Sequence, residues 1–209
     1  MIIAIDGPAA SGKGTLAKRL AAHYRLPHLD TGLLYRGVAR VLLDRADPLE
    51  DVALATAVAA SLDMGALDEA RLRGREMGEA ASVISAYPGV RTALLDLQRR
   101  FAEQPGGAVL DGRDIGSVVC PGAEAKLFVT ASPEERAARR HRELASRGDS
   151  TSFETVLADI RRRDERDSTR SAAPLVVPPG SVVLDTTLLD PDGALAAAVA
   201  LVEGRLGGA

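Results

Sequence analysis

Residues 1–15, Met1-Ile2-Ile3-Ala4-Ile5-Asp6-Gly7-Pro8-Ala9-Ala10-Ser11-Gly12-Lys13-Gly14-Thr15, decide the fold. Met1 to Asp6 is a short apolar run rich in β-branched residues, the pattern of a buried strand, and it stops at a glycine. Leu16, Leu20 and the alanines that follow recur at helical spacing, which predicts a helix to about Tyr24. A G-x-x-x-x-G-K loop between a strand and a helix is a P-loop. Its backbone N–H groups must turn inward around a phosphate, which needs glycine where a Cβ would clash, and the helix N-terminus adds its positive dipole. Gly7, Pro8, Ala9, Ala10, Ser11, Gly12, Lys13, Gly14 and Thr15 are therefore the candidate phosphate cradle. Lys13 supplies a point charge for the β- and γ-phosphates.

Almost all the basic residues are arginine, and lysine occurs only at Lys13, Lys18 and Lys126. A chain so biased still places lysine at the loop position where a compact ammonium fits and a planar guanidinium does not. The hydroxyl follows one residue late, at Thr15 rather than at Gly14. This GKGT form resembles the nucleoside-monophosphate kinases more than the GTPases or motor ATPases.

With 209 residues, the chain suits one α/β domain or one core with small insertions. Net charge is −3, and no run of Lys and Arg has the density that binds duplex nucleic acid, so a nucleic acid polymer is not the expected partner. A lone Cys120 excludes an internal disulfide, and the first residues enter a strand without a signal-like segment. No apolar stretch approaches a bilayer span, so a cytoplasmic chain with no membrane role is expected.

Leu26 to Asp30 reads as a second strand, and Leu33 to about Leu43 as a helix with Arg36 in its first turns. His28 has no second His or Cys at metal spacing and reads as a packed or surface histidine. From about Ala46 to Gln104 the pattern is mostly helical, with Ala53 to Leu62, Glu79 to Ala86 and Val90 to Phe101 as helices. Met64 to Gly78, with three glycines and mixed charges, reads as a loop or an irregular hairpin around Ala70 to Glu76.

Gly107 to Leu110 is a third strand that delivers Asp111-Gly112-Arg113-Asp114-Ile115-Gly116. Charged residues packed between glycines at a strand end do not build a core. They suit a site in which Asp111 helps hold Mg²⁺ through water, Arg113 clamps a phosphate and Asp114 accepts from a donor on a base. Ala125 to Thr130 is a fourth strand, followed by a helix start with a Ser132 cap and Pro133 at its first position. Arg136 to Arg170 carries the densest charge in the chain, in two helices flanking a polar hinge, the composition of a mobile lid. Arg136, Arg142, Arg161 and Arg162 read as a solvated face. Arg163, Arg166, Asp167 and Arg170 share one helical stripe, and three cations with one carboxylate suit an anionic ligand. Val182 to Asp185 is a fifth strand and Pro191 to Leu206 a closing helix. Five strands with helices between them predict a doubly wound α/β fold with a five-stranded parallel sheet and helices on both faces.

GPAASGKGT, LDTGLLYR, the AAS and PGVR elements, DGRDIG and RRRDERDSTR, in this order from about Met1 to Asp185, resemble the bacterial cytidylate kinases. The resemblance implies a P-loop NTPase fold in one domain, 1–209. Its core would be 1–36, 105–140 and 170–209, with a helical monophosphate-binding insert at about 37–104 and a lid at about 141–169. It implies phosphoryl transfer from ATP to CMP or dCMP with Mg²⁺, by a monomer. Thr31, Arg36, Ser82, Arg91, Arg113, Asp114, Arg163, Asp167 and Arg170 would line the CMP site. Within it, Ser82, Arg91 and Asp114 would surround the cytosine edge, Arg163 and Asp167 the ribose, and Arg36, Arg113 and Arg170 the phosphate. Lys13, Arg113, Arg163 and Arg170 would be the catalytic charges, and Thr15 and Asp111 would serve the metal. The family's insert usually carries a longer antiparallel β piece, for which only Met64 to Gly78 is available here, and Thr31 stands where serine is more frequent.

Two other readings share the P-loop. A kinase for another acceptor, such as UMP or a small metabolite, would differ only in the acceptor site. A nucleotide-dependent switch predicts a hydroxyl directly after Lys13 and an N-K-x-D motif, and the chain has neither.

Overall fold

The computed structural model of the chain describes residues 1–68, 70–72 and 74–207. Its strands are β1 (Ile2–Asp6), β2 (His28–Asp30), β3 (Ala108–Gly112), β4 (Ala125–Thr130) and β5 (Val182–Asp185). The helices are α1 (Lys13–Tyr24), α2 (Thr31–Asp44), α3 (Val52–Ala60), α4 (Arg75–Ile84), α5 (Pro88–Ala102), α6 (Pro133–Ala145), α7 (Phe153–Thr169) and α8 (Pro191–Leu206).

The five strands form one sheet in the order β2-β3-β1-β4-β5. β1 pairs in parallel with β3, from Ile2 opposite Ala108 to Asp6 opposite Gly112, and with β4, from Ile3 opposite Ala125 to Asp6 opposite Phe128. β4 pairs in parallel with β5. A central parallel strand is covered on both faces, which is why β1 reads as an unbroken apolar run: Ile3, Ala4 and Ile5 are all fully buried. From β1 the chain first builds one side of the sheet and then the other, so the strand order reverses there. In open parallel sheets that reversal places the ligand crevice at the carboxyl ends of the strands.

The chain divides into two compact units, Met1–Leu29 with Phe101–Ala209, and Asp30–Arg100. In the first, α1 and α8 pack on the sheet, and Leu16, Leu20, Ala198 and Val202 join Ile3, Ile5, Leu127 and Val129 in one core. α6 and α7 make a smaller core of Ala137, Leu144, Val156 and Ile160, against which Phe153 and Leu157 pack. In the second unit α2 packs against α3 and α4, burying Leu34, Val38, Leu42, Ala55, Met77 and Ile84.

Two expectations change. α2 starts at Thr31 rather than Leu33, because the Asp30 side chain accepts from the Gly32 N–H at 2.9 Å and caps the helix two residues early. The segment from Met64 to Gly78 contains no strand among its described residues; Arg73, within the expected hairpin, lies outside them. Instead a 3₁₀ turn at Met64–Ala66 is capped by Asp63, Asp68 caps a turn at Ala70, and α4 begins directly after Gly74. The cause is periodicity: Met77, Ala80, Ala81 and Ile84 are buried at helical spacing, so the apolar stripe extends α4 back past the glycine at 78.

Candidate active site

In the first unit the loop after β1 has the backbone its sequence demands. Gly7 adopts φ 154°, and a Cβ there would sit 2.0 Å from the Val129 carbonyl oxygen, so no other residue fits. Ala10 (φ 59°) and Gly12 (φ 86°) are left-handed, and alternation of left- and right-handed residues turns successive N–H groups toward one centre. α1 starts at Lys13, which adds the helix N-terminus to the same place. The Lys13 Nζ donates to the Pro8 carbonyl at 3.4 Å, folded back across the loop.

Asp6, the last residue of β1, is buried, and its two carboxylate oxygens accept from the N–H groups of Ile115 (2.7 Å) and Gly116 (2.8 Å). The strand that feeds the P-loop therefore also pins the loop that follows Asp111-Gly112-Arg113-Asp114. Burial pushes the Asp6 carboxyl up to about 6; the two N–H donors oppose this, the Asp114 charge adds to it and the Arg113 charge opposes it. After Asp114 the chain makes one wide π-type turn, Ile115–Val119.

Asp111, at the end of β3, is buried. Its Oδ1 lies within hydrogen-bond distance of His28 Nε2, at 2.8 Å. Its Oδ2 lies 3.7 Å from where a Cβ on Gly14 would stand, which places the carboxylate against the first turn of α1. Thr15 is exposed beside it in sequence. Among the described residues no group of three or more His, Cys, Asp or Glu could hold a metal alone. One buried carboxylate and one hydroxyl instead suit Mg²⁺, a hard cation that keeps its waters and takes its other ligands from phosphates.

Asp167, near the end of α7, is buried and gathers three arginines: Arg113 Nε at 2.9 Å, Arg163 Nε at 3.8 Å and Arg170 Nη1 at 3.9 Å. Burial works to raise its carboxyl, but the charges of Arg113, then Arg163, with the Arg113 hydrogen bond and the Arg170 charge, outweigh it and hold it below the ordinary carboxylate range. Three guanidinium groups on one carboxylate leave a surplus of positive charge. Arg170 joins this cluster from the helix cap, with an extended backbone, rather than from the helix itself.

The other candidate residues lie in the second unit. Thr31 is buried at the start of α2, and the Arg36 Nη1 donates to the Leu72 carbonyl at 3.4 Å. Arg91 of α5 stacks over the Tyr35 ring at 5.4 Å and donates to the Ser85 carbonyl at 2.9 Å. The Ser85 hydroxyl in turn donates to the Ser82 carbonyl at 3.0 Å, while the buried Ser82 Oγ has no hydrogen-bond partner.

Arg136 is a correction. Expected on a solvated face, it is 3% exposed and makes a bidentate pair with Asp164 of α7 at 2.9 and 2.6 Å. It also donates to the carbonyls of Ala131 and Ala9. Arg142, Arg161 and Arg162 are exposed, as expected. Neither the contact of Asp6 with the loop after Asp114 nor that of Arg136 with the Ala9 carbonyl was legible in the sequence, where the only trace of Asp6 is a carboxylate ending an otherwise apolar strand.

A parallel sheet with this strand order and a phosphate-shaped loop at the end of its central strand belongs to the P-loop kinases. Two solved structures have this fold, at identities that speak to the fold alone. An uncharacterized protein from Eubacterium ventriosum ATCC 27560 has a TM-score of 0.58 and 16% identity over 98% of this chain and 99% of its own. A sugar kinase from Janibacter sp. HTCC2649 has a TM-score of 0.51 and 13% identity over 97% and 94%. The family model for cytidylate kinase matches residues 3–203, and the chain belongs to the cytidylate kinase family. Proteins named cytidylate kinase are 65% identical in Xanthobacter autotrophicus, over all of both chains, and 67% identical in Methylobacterium sp. (strain 4-46), over 98% of both. One from Methylocella silvestris is 62% identical over 97% of this chain and 94% of its own.

Proposed function

We propose that this chain transfers the γ-phosphoryl group of ATP to CMP or dCMP, giving CDP or dCDP, in pyrimidine nucleotide metabolism. The observation that carries this reading is the cluster of Arg113, Arg163 and Arg170 on Asp167, in the same unit as the P-loop. A fixed surplus of positive charge beside a triphosphate cradle suits a second phosphate, and the relatives named above carry the name of the CMP reaction.

The CMP phosphate already presents an anionic oxygen, so no strong base is needed. That oxygen attacks the γ-phosphorus while the bond from this phosphorus to the bridging oxygen breaks, and ADP leaves with the electron pair. The inward N–H groups of residues 7–15 and Lys13 hold the β- and γ-phosphates. Lys13, Arg113, Arg163 and Arg170 meet the charge that spreads over the equatorial oxygens, which is where preorganised cations act most strongly. The Thr15 hydroxyl and, through water, Asp111 would hold Mg²⁺, which would supply positive charge to the phosphates. His28 fixes Asp111 in place for that role.

Arg36, Arg113 and Arg170 bind the CMP phosphate, Arg163 and Asp167 serve its ribose, Ser82, Arg91 and Asp114 read the cytosine edge, and Thr31 lines the same site. We assign residues at about 37–104 to a monophosphate-binding insert and about 141–169 to a lid that excludes water from the transfer. The working form is a cytoplasmic monomer. No described helix is long and apolar enough to cross a membrane.

An ATP-consumption assay with Mg²⁺ against CMP, dCMP, UMP, AMP and GMP tests the reading. Turnover with CMP and dCMP alone is expected. ATP binding without turnover of any acceptor would overturn it.

A further inference from the structure

The P-loop has a back as well as a front. Peptide units are planar and trans, so each N–H that faces a phosphate has a carbonyl pointing the opposite way. Those outward carbonyls need partners, and two arginines one helical turn apart on α6 supply them. Arg136 Nη1 donates to Ala9 at 3.3 Å and Arg139 Nη1 donates to Ser11 at 3.3 Å.

Arg139 is the more committed of the two. Its Nη1 also donates to the Thr186 hydroxyl oxygen at 3.0 Å, its Nη2 to the Thr186 carbonyl at 2.6 Å and its Nε to Glu135 at 2.9 Å. Thr186, buried just beyond β5, places its hydroxyl 3.0 Å from the same Ser11 carbonyl and 3.0 Å from the Thr130 carbonyl; the latter already accepts from the Thr186 N–H at 2.8 Å, which leaves the single hydroxyl proton for Ser11. A Cβ on Gly12 would come within 3.3 Å of Arg139 Nη1, so the guanidinium lies directly against the Ser11–Gly12 peptide. Glu135 balances the Arg139 charge, which leaves a role of geometry rather than of field.

We infer that Arg139 and Thr186 form a latch behind the P-loop: by holding the Ser11 carbonyl from outside, they aim the Gly12 N–H at the phosphate chain of the nucleoside triphosphate. Both are positioning residues, since they act through the Ser11–Gly12 peptide. A donor on the carbonyl also polarises the amide and strengthens its N–H as a donor in turn. The strand end after β5, which carries no motif, thereby becomes part of the triphosphate site.

The inference rests on the loop being the ATP cradle, and the experiment separates the two. ATP and CMP affinities of the full chain are measured by calorimetry, each ligand alone, for Lys13→Ala, Arg139→Ala, Thr186→Val and Thr186→Ser. Arg139→Ala is expected to weaken ATP by about tenfold or more, the usual size of a lost hydrogen bond from a charged group, and to leave CMP unchanged. Thr186→Val keeps the shape and loses the donor, so it weakens ATP by less, and Thr186→Ser restores it. Combined, the Arg139→Ala and Thr186→Val losses fall short of additive, because both act on one carbonyl. ATP affinity unchanged in Arg139→Ala and Thr186→Val, with Lys13→Ala weakened, overturns the latch alone. Equal losses for ATP and CMP also overturn it, as a general structural role. Unchanged ATP affinity in Lys13→Ala overturns the cradle itself.

Discussion

Arg113 Nε donates to Asp167 Oδ2 across 2.9 Å, joining the loop after β3 to a helix 54 residues further along. Arg163 and Arg170 approach the same carboxylate, so Asp167 keeps three like charges in one place. Replacing it by Asn keeps the shape and removes the charge that the guanidinium groups share. Breaking a buried pair in this way costs about 3–5 kcal/mol. Asp167→Asn is therefore expected to unfold at clearly lower urea concentration at pH 7. The Asp167 carboxyl is held below its unfolded value of 3.8, so its contribution is fully present above that value and is lost as pH falls through the folded one. The gap between wild type and variant should close in acid. Equal midpoints at pH 7 would remove Asp167 from the centre of the cluster.

Asp6 has the opposite dependence. Its folded carboxyl titrates at about 6, above the 3.8 of an unperturbed aspartate. Between these values the folded chain binds the proton and the unfolded chain does not, so the contribution of Asp6 to stability falls as pH rises, by about 3 kcal/mol in all. Asp6→Asn cannot titrate, and the stability difference between wild type and variant should slope between pH 4 and pH 6 and be flat above pH 7. Denaturation is the right measurement because the phosphate of CMP itself titrates near pH 6. A difference that does not vary with pH would place the Asp6 carboxyl back at its ordinary value.

What the sequence made legible was local. Gly7, Gly12 and Lys13 declare a phosphate loop because their chemistry is confined to nine consecutive residues, and Asp111 to Asp114 declare a site because charges between glycines cannot be core. The partnerships were not legible. Asp6 meets N–H groups 109 and 110 residues away, His28 meets Asp111 across 83, and Arg136 meets Asp164 across 28. Periodicity says which residues share a helix face but not what that face meets. Arg136 therefore reads as solvated among its charged neighbours until α7 is packed against it.

Lys13 Nζ donates to the Pro8 carbonyl at 3.4 Å, a long hydrogen bond within its own loop. Its charge matters when phosphates arrive. Lys13→Ala is expected to lower kcat by a factor on the order of a thousand, the scale of a lost preorganised donor. Thermal stability should change far less than the rate, because the charge acts on the bound phosphates. A near-normal rate in the coupled assay would refute its place at the transferred group.

Ser82 separates binding from stability more sharply than any other residue. Its hydroxyl is buried without a hydrogen-bond partner, a state that costs about 1–3 kcal/mol of desolvation. Removing the oxygen should therefore leave the chain as stable as before or more so, the reverse of the usual buried substitution. If that hydroxyl is held in reserve for the cytosine edge, Ser82→Ala should also bind CMP about tenfold more weakly while ATP affinity is unchanged. The two measurements have opposite signs, which a purely structural serine cannot produce. Lower stability with normal CMP affinity would mean that the hydroxyl serves the packing of α4 and not the ligand.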